Sequence, residues 1–317
     1  MEARYNAARI SGHLDVNNLR LGELPELPGN LVYLHCSGNK LTKLPKLPNT
    51  LVHLDCSVNK LTQLPELPNT LEHLNCSANT LTQLPELPNT LVDLICVKNN
   101  LSQLPKLPDL QTLDCSRNTL SVLPPLPDSL EELVCDFNAL TTLPEKLPPD
   151  LQSLEVAHNK LTKLPELPNT LNALYCSMNK LQTLPHLPES LETLDIAENP
   201  FEPGLQAVVK DPPVKEALWA LGEYGDVPGA TEYVIERLNR YNKQKKIRNM
   251  AKNVATLNTL SRKKGVMTVR NTKNIPKNVL LHVGRYLHNE GPNPNFKTIR
   301  NKLKIRHNTV TRKHRRR

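Results

Sequence analysis

The chain has 317 residues, enough for two or three domains, and its 38% hydrophobic but only 3% aromatic content requires a core built from leucine rather than rings. Its 28 prolines oppose long helices wherever they concentrate, and no run of eighteen apolar residues exists, so no membrane span is expected. The net charge of +9 hides a division: residues 241–317 carry 22 Lys and Arg against one acid, Glu290, whereas residues 1–240 hold 18 basic and 30 acidic residues. The basic part therefore stands at +21 and the rest at −12, an asymmetry from which an anionic partner of its own is expected for the basic segment.

In chain order, the N-terminal MEARYNAARISGHLDV lacks the apolar stretch of a signal peptide, so secretion by the general route is not expected. Residues 1–20 are read as an N-terminal cap with a partial repeat, LDVNNLRL at 14–21. Nine full units follow over 21–201, starting at Leu21, Leu41, Leu61, Leu81, Leu101, Leu120, Leu140, Leu161 and Leu181; all span 20 residues except one of 19 and one of 21. A fixed period of this size predicts a solenoid, in which each unit buries its apolar face only against its neighbours.

The unit at 41–60 shows the logic. Leu51, Leu54 and Cys56 belong to a short run in which His53 and Asp55 alternate with them, the period of a strand with one face inward and one face wet. Leu41, Leu44 and Leu47 fill the remaining interior, and Pro45 and Pro48 hold the return segment extended in polyproline-like geometry. The asparagine of CSxN recurs as Asn39, Asn59, Asn79, Asn99, Asn118, Asn138, Asn159, Asn179 and Asn199. An amide both donates and accepts, so a ladder of them is expected to satisfy the backbone of the turn under each strand.

All seven cysteines (Cys36, Cys56, Cys76, Cys96, Cys115, Cys135 and Cys176) occupy one slot of the unit, filled elsewhere by Val156 and Ile196. Exchange with Val and Ile marks a buried apolar position, where free Cys acts as a small hydrophobe. Free thiols fit an intracellular reducing compartment, the cytoplasm or nucleus of a host cell or a virion.

Leu51, Leu54, Cys56, Asn59 and Leu61 match LxxLxLxxNxL, and the return segment reads LPxLP. On these residues the chain resembles the leucine-rich repeat family, in its short twenty-residue subclass found in bacterial effectors and giant-virus proteins, over about residues 14–201. The resemblance implies a curved parallel sheet on the concave side, extended segments on the convex side, and protein binding through the sheet. Some effectors of this class add a C-terminal ubiquitin-ligase domain with a nucleophilic cysteine. Here no cysteine follows Cys176, so that activity is not carried over and no enzyme is expected.

The outward strand positions are the candidate protein-binding residues: Tyr33, His35, His53, Asp55, His73, Asn75, Asp93, Thr112, Asp114, Glu132, Glu155, Tyr175 and Asp195. Strands lie about 4.8 Å apart, which brings His35, His53, Asp55, His73 and Asp93 together; a wet polar surface is the expectation there, with no metal and no cofactor. The face is rich in His and Tyr at its first end and grades into acid, suiting a partner with a basic or hydrogen-bonding surface.

Beyond the repeats, residues 202–257 read as a C-terminal cap and helices, with Trp219, the one Trp, packed in the cap. From Thr231 the pattern is helical, with Val234, Leu238 and Tyr241 on one stripe and Ile247, Met250, Val254 and Leu257 continuing it after a phase slip. Residues 258–274 read as a basic linker, and 275–317 as a basic helical region with a helix opening near Pro276. Ile299, Leu303, Ile305 and Val310 give its end a resemblance to a helix-turn-helix, departing from that pattern at Arg300, Lys304 and Lys313. That resemblance implies base contacts from Arg306, His307, Asn308, Thr311 and Arg312, and phosphate contacts from Lys302, Lys313, Arg315, Arg316 and Arg317. A solvated tail, a nuclear-localisation run, or attachment to an acidic protein or anionic membrane surface would use the same charges.

The whole is read as a β-rich leucine-rich repeat solenoid followed by an α-helical basic C-terminal region: a non-enzymatic interaction scaffold anchored to nucleic acid. The alternatives are a structural component of a large assembly such as a virion, and a host-directed effector acting by binding a host protein.

Overall fold

A computed structural model describes residues 1–211, Val214, Leu218 and 230–263, with side chains in the last segment described over 232–250. The chain divides into two units, Met1–Tyr241 and Asn242–Arg317. Trp219, the helix expected near Pro276 and the helix-turn-helix residues lie outside the described residues.

The first helix, α1 (Glu2–Ser11), was not legible as such in the sequence; it buries only Tyr5 and Ala8 and ends at Gly12, whose left-handed backbone (φ 73°) lets its N–H cap Ala8 O. Ten three-residue strands follow: β1 His13–Asp15, β2 Tyr33–His35, β3 His53–Asp55, β4 His73–Asn75, β5 Asp93–Ile95, β6 Thr112–Asp114, β7 Glu132–Val134, β8 Ser153–Glu155, β9 Ala173–Tyr175 and β10 Thr193–Asp195. They form one parallel sheet in sequence order. The leucine at the middle of each strand pairs with the leucine of the next, from Leu14 to Leu194, and each is at most 1% exposed. A slip of one residue would turn that column to solvent, which is why the register holds over strands so short.

Inside the coil the asparagines do what their spacing predicts. Asn59 Nδ2 donates to Cys36 O (3.0 Å) on the preceding rung and to Cys56 O (3.1 Å) on its own, while its Oδ1 accepts from Leu41 N (3.0 Å). The pattern repeats through Asn199, which bonds Cys176 O and Ile196 O and accepts from Leu181 N. A second ladder of hydroxyls runs along the other edge: Thr50, Thr70, Thr90 and Thr170 donate to Leu31, Leu51, Leu71 and Leu151 O at 2.7–2.9 Å.

The two odd-length units change only the return segment. The 19-residue unit reads PDL at 108–110 where four other units read PNTL, and so lacks the threonine hydroxyl; the 21-residue unit inserts Lys146, which is exposed and pairs with Asp128 Oδ1 at 3.0 Å. The return segments carry no helix or strand, so a residue can be gained or lost there without shifting the sheet.

The x residue of CSxN is left-handed in every unit: Val58, Ala78, Lys98, Arg117, Phe137, His158, Met178 and Glu198 have φ of 51–56°. Side chains resist this region, yet from Val58 to Met178 each residue's amide bonds the next rung, as in Val58 N donating to Ser77 O (2.8 Å). Only the first full unit has glycine there. A Cβ on Gly38 would lie 2.0 Å from Asn18 Oδ1.

After β10, α2 (Pro203–Val209) and the long α3 (Ala230–Lys263) follow. Phe201, Leu205, Val214, Val234, Ile235 and Leu238 join the leucine core and close its end, as a solenoid requires. Asn239 brackets the last coil, accepting from Leu187 N (3.0 Å) and donating to Leu187 O (2.8 Å). Tyr241 Oη donates to Glu202 at 2.9 Å, an approach that a Cβ on Gly204 would obstruct. Ion pairs join Arg237 to Asp211 at 2.5 Å and Arg240 to Glu236. One expectation is corrected: α3 continues through Lys263, so residues 258–263 are helix, not linker. They contain no Gly or Pro, and the first such breaker is Gly265.

Candidate functional site: the outer face of the strands

Because side chains alternate across a strand, each rung contributes two outward residues. One column runs His13, Tyr33, His53, His73, Asp93, Thr112, Glu132, Ser153, Ala173, Thr193; the other runs Asp15, His35, Asp55, Asn75, Ile95, Asp114, Val134, Glu155, Tyr175, Asp195. All thirteen residues singled out from the sequence therefore lie outward on one face, half-buried except for the exposed Glu132.

At the first end the rings touch. His13 stacks on Tyr33 (centroids 4.1 Å apart), Tyr33 lies 6.0 Å from His53, and His53 is 5.1 Å from His35 and 5.6 Å from His73. His73 Nδ1 meets Asp93 Oδ2 at 2.6 Å. Burial, then His35 and His73, hold the His53 imidazole below its ordinary pKa, against the smaller opposing pull of Asp55 and Asp93. At the other end carboxylates crowd. Burial first, then Asp136, Glu132 and Asp114, push Glu155 up. Asp136 is raised by burial and by Asp114, although Ala157 N donates to its Oδ1 at 2.6 Å. Among the described residues no group of three or more His, Cys, Asp or Glu is arranged to hold a metal.

Part of the second column has a structural duty that the sequence did not disclose. Asp55, Asn75, Asp114 and Asp195 each accept, through Oδ1, the backbone N–H two residues on, at 3.0–3.1 Å. These Asx turns steer the chain out of the strand, leaving one side-chain atom of each for a partner.

A ridge beside the face was also missed. Arg117 lies 4.2 Å over the Phe137 ring, whose other side stacks on His158 at 3.9 Å with 15° between planes. Exposed Met178 continues the ridge and Val58 occupies it nearer the start. The signal was the variable x of CSxN, because a left-handed residue points its side chain off the turn.

The cysteines are all free and buried. Burial drives the thiols of Cys36 and Cys76 up to about 12 and holds the others well above the ordinary value, so none is a thiolate at neutral pH. The nucleic-acid candidates Lys302, Arg306, His307, Asn308, Thr311, Arg312, Lys313, Arg315, Arg316 and Arg317 lie outside the described residues. No described helix is long and apolar enough to cross a membrane.

No protein-family model and no curated protein matches the chain. Among solved structures it is similar to YopM from Yersinia enterocolitica WA-314, with 40% identity and a TM-score of 0.50 over 59% of this chain and 46% of that one. It is also similar to the functional domain of InlJ from Listeria monocytogenes, which includes a cysteine ladder (29% identity, TM-score 0.49, 60% of this chain and 49% of that one). A third is a Shigella effector leucine-rich repeat domain (29% identity, TM-score 0.39, 67% and 82%). The chain spans less than half of the YopM chain it matches. The ten stacked parallel rungs and the likeness to YopM together make this chain a leucine-rich repeat solenoid followed by a helical region.

Proposed function

We propose that the chain is a non-enzymatic scaffold whose strand face grips a protein partner while its basic C-terminal region, residues 241–317, anchors the complex to nucleic acid. The observation that carries the first half is the division of labour within each rung. The inward leucine, the cysteine slot and the asparagine are consumed by the coil, while the outward columns make few bonds of their own and change chemistry along the sheet. A continuous polar ledge with half-buried aromatic and charged side chains suits protein recognition. The second half is supported by +21 over 77 residues, a density that favours phosphate contacts with counterion release. Seven buried, protonated thiols favour a reducing compartment, either the cytoplasm or the nucleus of a host cell.

Two experiments test it. Proximity labelling is run with the full chain and with a variant carrying Asp114→Lys, Glu132→Lys and Glu155→Lys. A partner held by the strand face drops out of the variant's set, and identical sets overturn the reading. Binding of the full chain to duplex DNA and to RNA falls steeply between about 50 and 200 mM salt, and Arg315→Gln, Arg316→Gln, Arg317→Gln flattens that dependence. Salt-insensitive binding, or none, removes the anchor. The likeness to YopM favours a second reading, a host-directed effector that acts by binding a host protein; in that case the labelled partner comes from the host.

A further inference from the structure

The first rungs gather groups that the binding of an unspecified partner does not by itself explain. His35, His53 and His73 lie within 5.1–5.6 Å of a neighbouring ring, Tyr33 and His13 extend the stack, and Asp55 and Asp93 flank it. The charged and titratable groups facing His53 are Asp55 on its own strand, Tyr33 and His35 from β2, His73 from β4 and Asp93 from β5 beyond it. Further out on β1, Asp15 is accompanied by Arg4, whose guanidinium donates to the Asp15 carbonyl at 2.7 Å. Among the described residues no Lys or Arg pairs with Asp55 or Asp93.

We propose that this end of the face is a proton-gated dock for a basic, Lys- or Arg-bearing protein segment, held at neutral pH and released on acidification. The proposal rests on the strand face being the binding surface, and it names the chemistry and the regulation of that surface.

Two carboxylates and three neutral imidazoles give β2–β5 a formal charge of −2, which becomes +1 when all three imidazoles take a proton. At neutral pH a cation meets the second carboxylate oxygen of Asp55 and of Asp93, neither of which pairs with Lys or Arg, together with the Tyr33 ring face, which attracts it as well. On acidification the cluster gains positive charge, so the rings repel a cation, while Asp55 and Asp93 stay ionised but are offset by imidazolium charge within the cluster. His53 resists its proton because burial and its two imidazole neighbours oppose a third charge there. A bound cation opposes it further, and by reciprocity each proton taken up weakens the cation.

The probe is hexalysine, with hexaglutamate as the control, titrated into the full chain while the imidazole signals are followed by NMR. At pH 7.5 hexalysine moves the His35, His53 and His73 signals; at pH 5.5 its affinity there is lower by about tenfold or more. The variant His35→Gln, His53→Gln, His73→Gln, read through Tyr33, binds hexalysine equally at both pH values. No movement at pH 7.5, movement by hexaglutamate instead, or the same pH ratio in the variant overturns the proposal. Loss of a labelled partner on charge reversal at Asp114, Glu132 and Glu155 is a separate readout. A failed gate therefore does not imitate a failed binding face.

Discussion

The histidine-bearing rungs β2–β4 and the carboxylate-bearing rungs β6–β8 have the same middle leucine, the same buried apolar slot (cysteine, or Val156 after β8) and the same asparagine bridge, yet they present opposite surfaces. One end stacks imidazoles and a phenol; the other crowds Asp114, Glu132, Asp136 and Glu155 until burial and mutual repulsion raise two of them. The coil therefore separates stability from recognition by position. Three slots per rung hold the chain together; of the two outward ones, the first varies freely and the second also closes the turn where it is Asp or Asn.

The sharpest way to break that separation is to remove a bridge. Asn99 Nδ2 donates to Cys76 O and Cys96 O, and its Oδ1 accepts from Leu81 N, all at 3.0–3.1 Å and buried. Asn99→Ala leaves those backbone groups unpaired and is expected to cost about 3–5 kcal/mol in urea unfolding. Next is the cysteine slot: Cys96→Ser buries a hydroxyl in place of a thiol and costs about 1–3 kcal/mol. Cys96→Val, which Val156 shows to be acceptable in the slot, is close to neutral.

The two ends also differ in the sign of their pH dependence. His53 has a depressed folded-state pKa, so its contribution is complete above the unfolded value and is lost as pH falls through it towards the folded one. Glu155 has a raised folded-state pKa, so its contribution is complete below the unfolded value and is lost as pH rises through the folded one. Thermal melts should therefore show that Glu155→Gln stabilises at pH 7 but not at pH 4, while His53→Gln lessens the loss of stability between pH 7 and pH 5. Equal pH slopes in both variants and the parent would remove the distinction between the ends. The smallest effect belongs to the left-handed slot. Val58→Gly relieves a β-branched residue at φ 52° and gains about 0.5–1 kcal/mol after glycine's entropy is subtracted.

The period, the inward leucines, the apolar cysteine slot and the asparagine ladder were all legible in the amino-acid sequence, because each is a local pattern repeated nine times. A misreading of one unit would have contradicted the other eight. The outward columns were legible for the same reason, since alternation assigns a face once the middle leucine is known. What the columns do there was not. That Asp55 and Asp114 spend an oxygen on the turn depends on a side-chain rotamer that the pattern does not specify; that His73 reaches Asp93, and that Arg117, Phe137 and His158 stack on a ridge, depend on contacts between residues about twenty apart.

The one-off segments were the hardest to read. The capping helix α1 buries only two side chains, too few to mark a period, and α3 runs past residue 258 because composition alone does not stop a helix. The sequence by itself determined a coil that must stack, because a leucine-lined turn of twenty residues can bury its apolar side only against its neighbours. Tertiary structure alone decided which polar groups meet across the rungs, because a hydrogen bond or a ring stack depends on distances of a few ångströms that no one-dimensional pattern records.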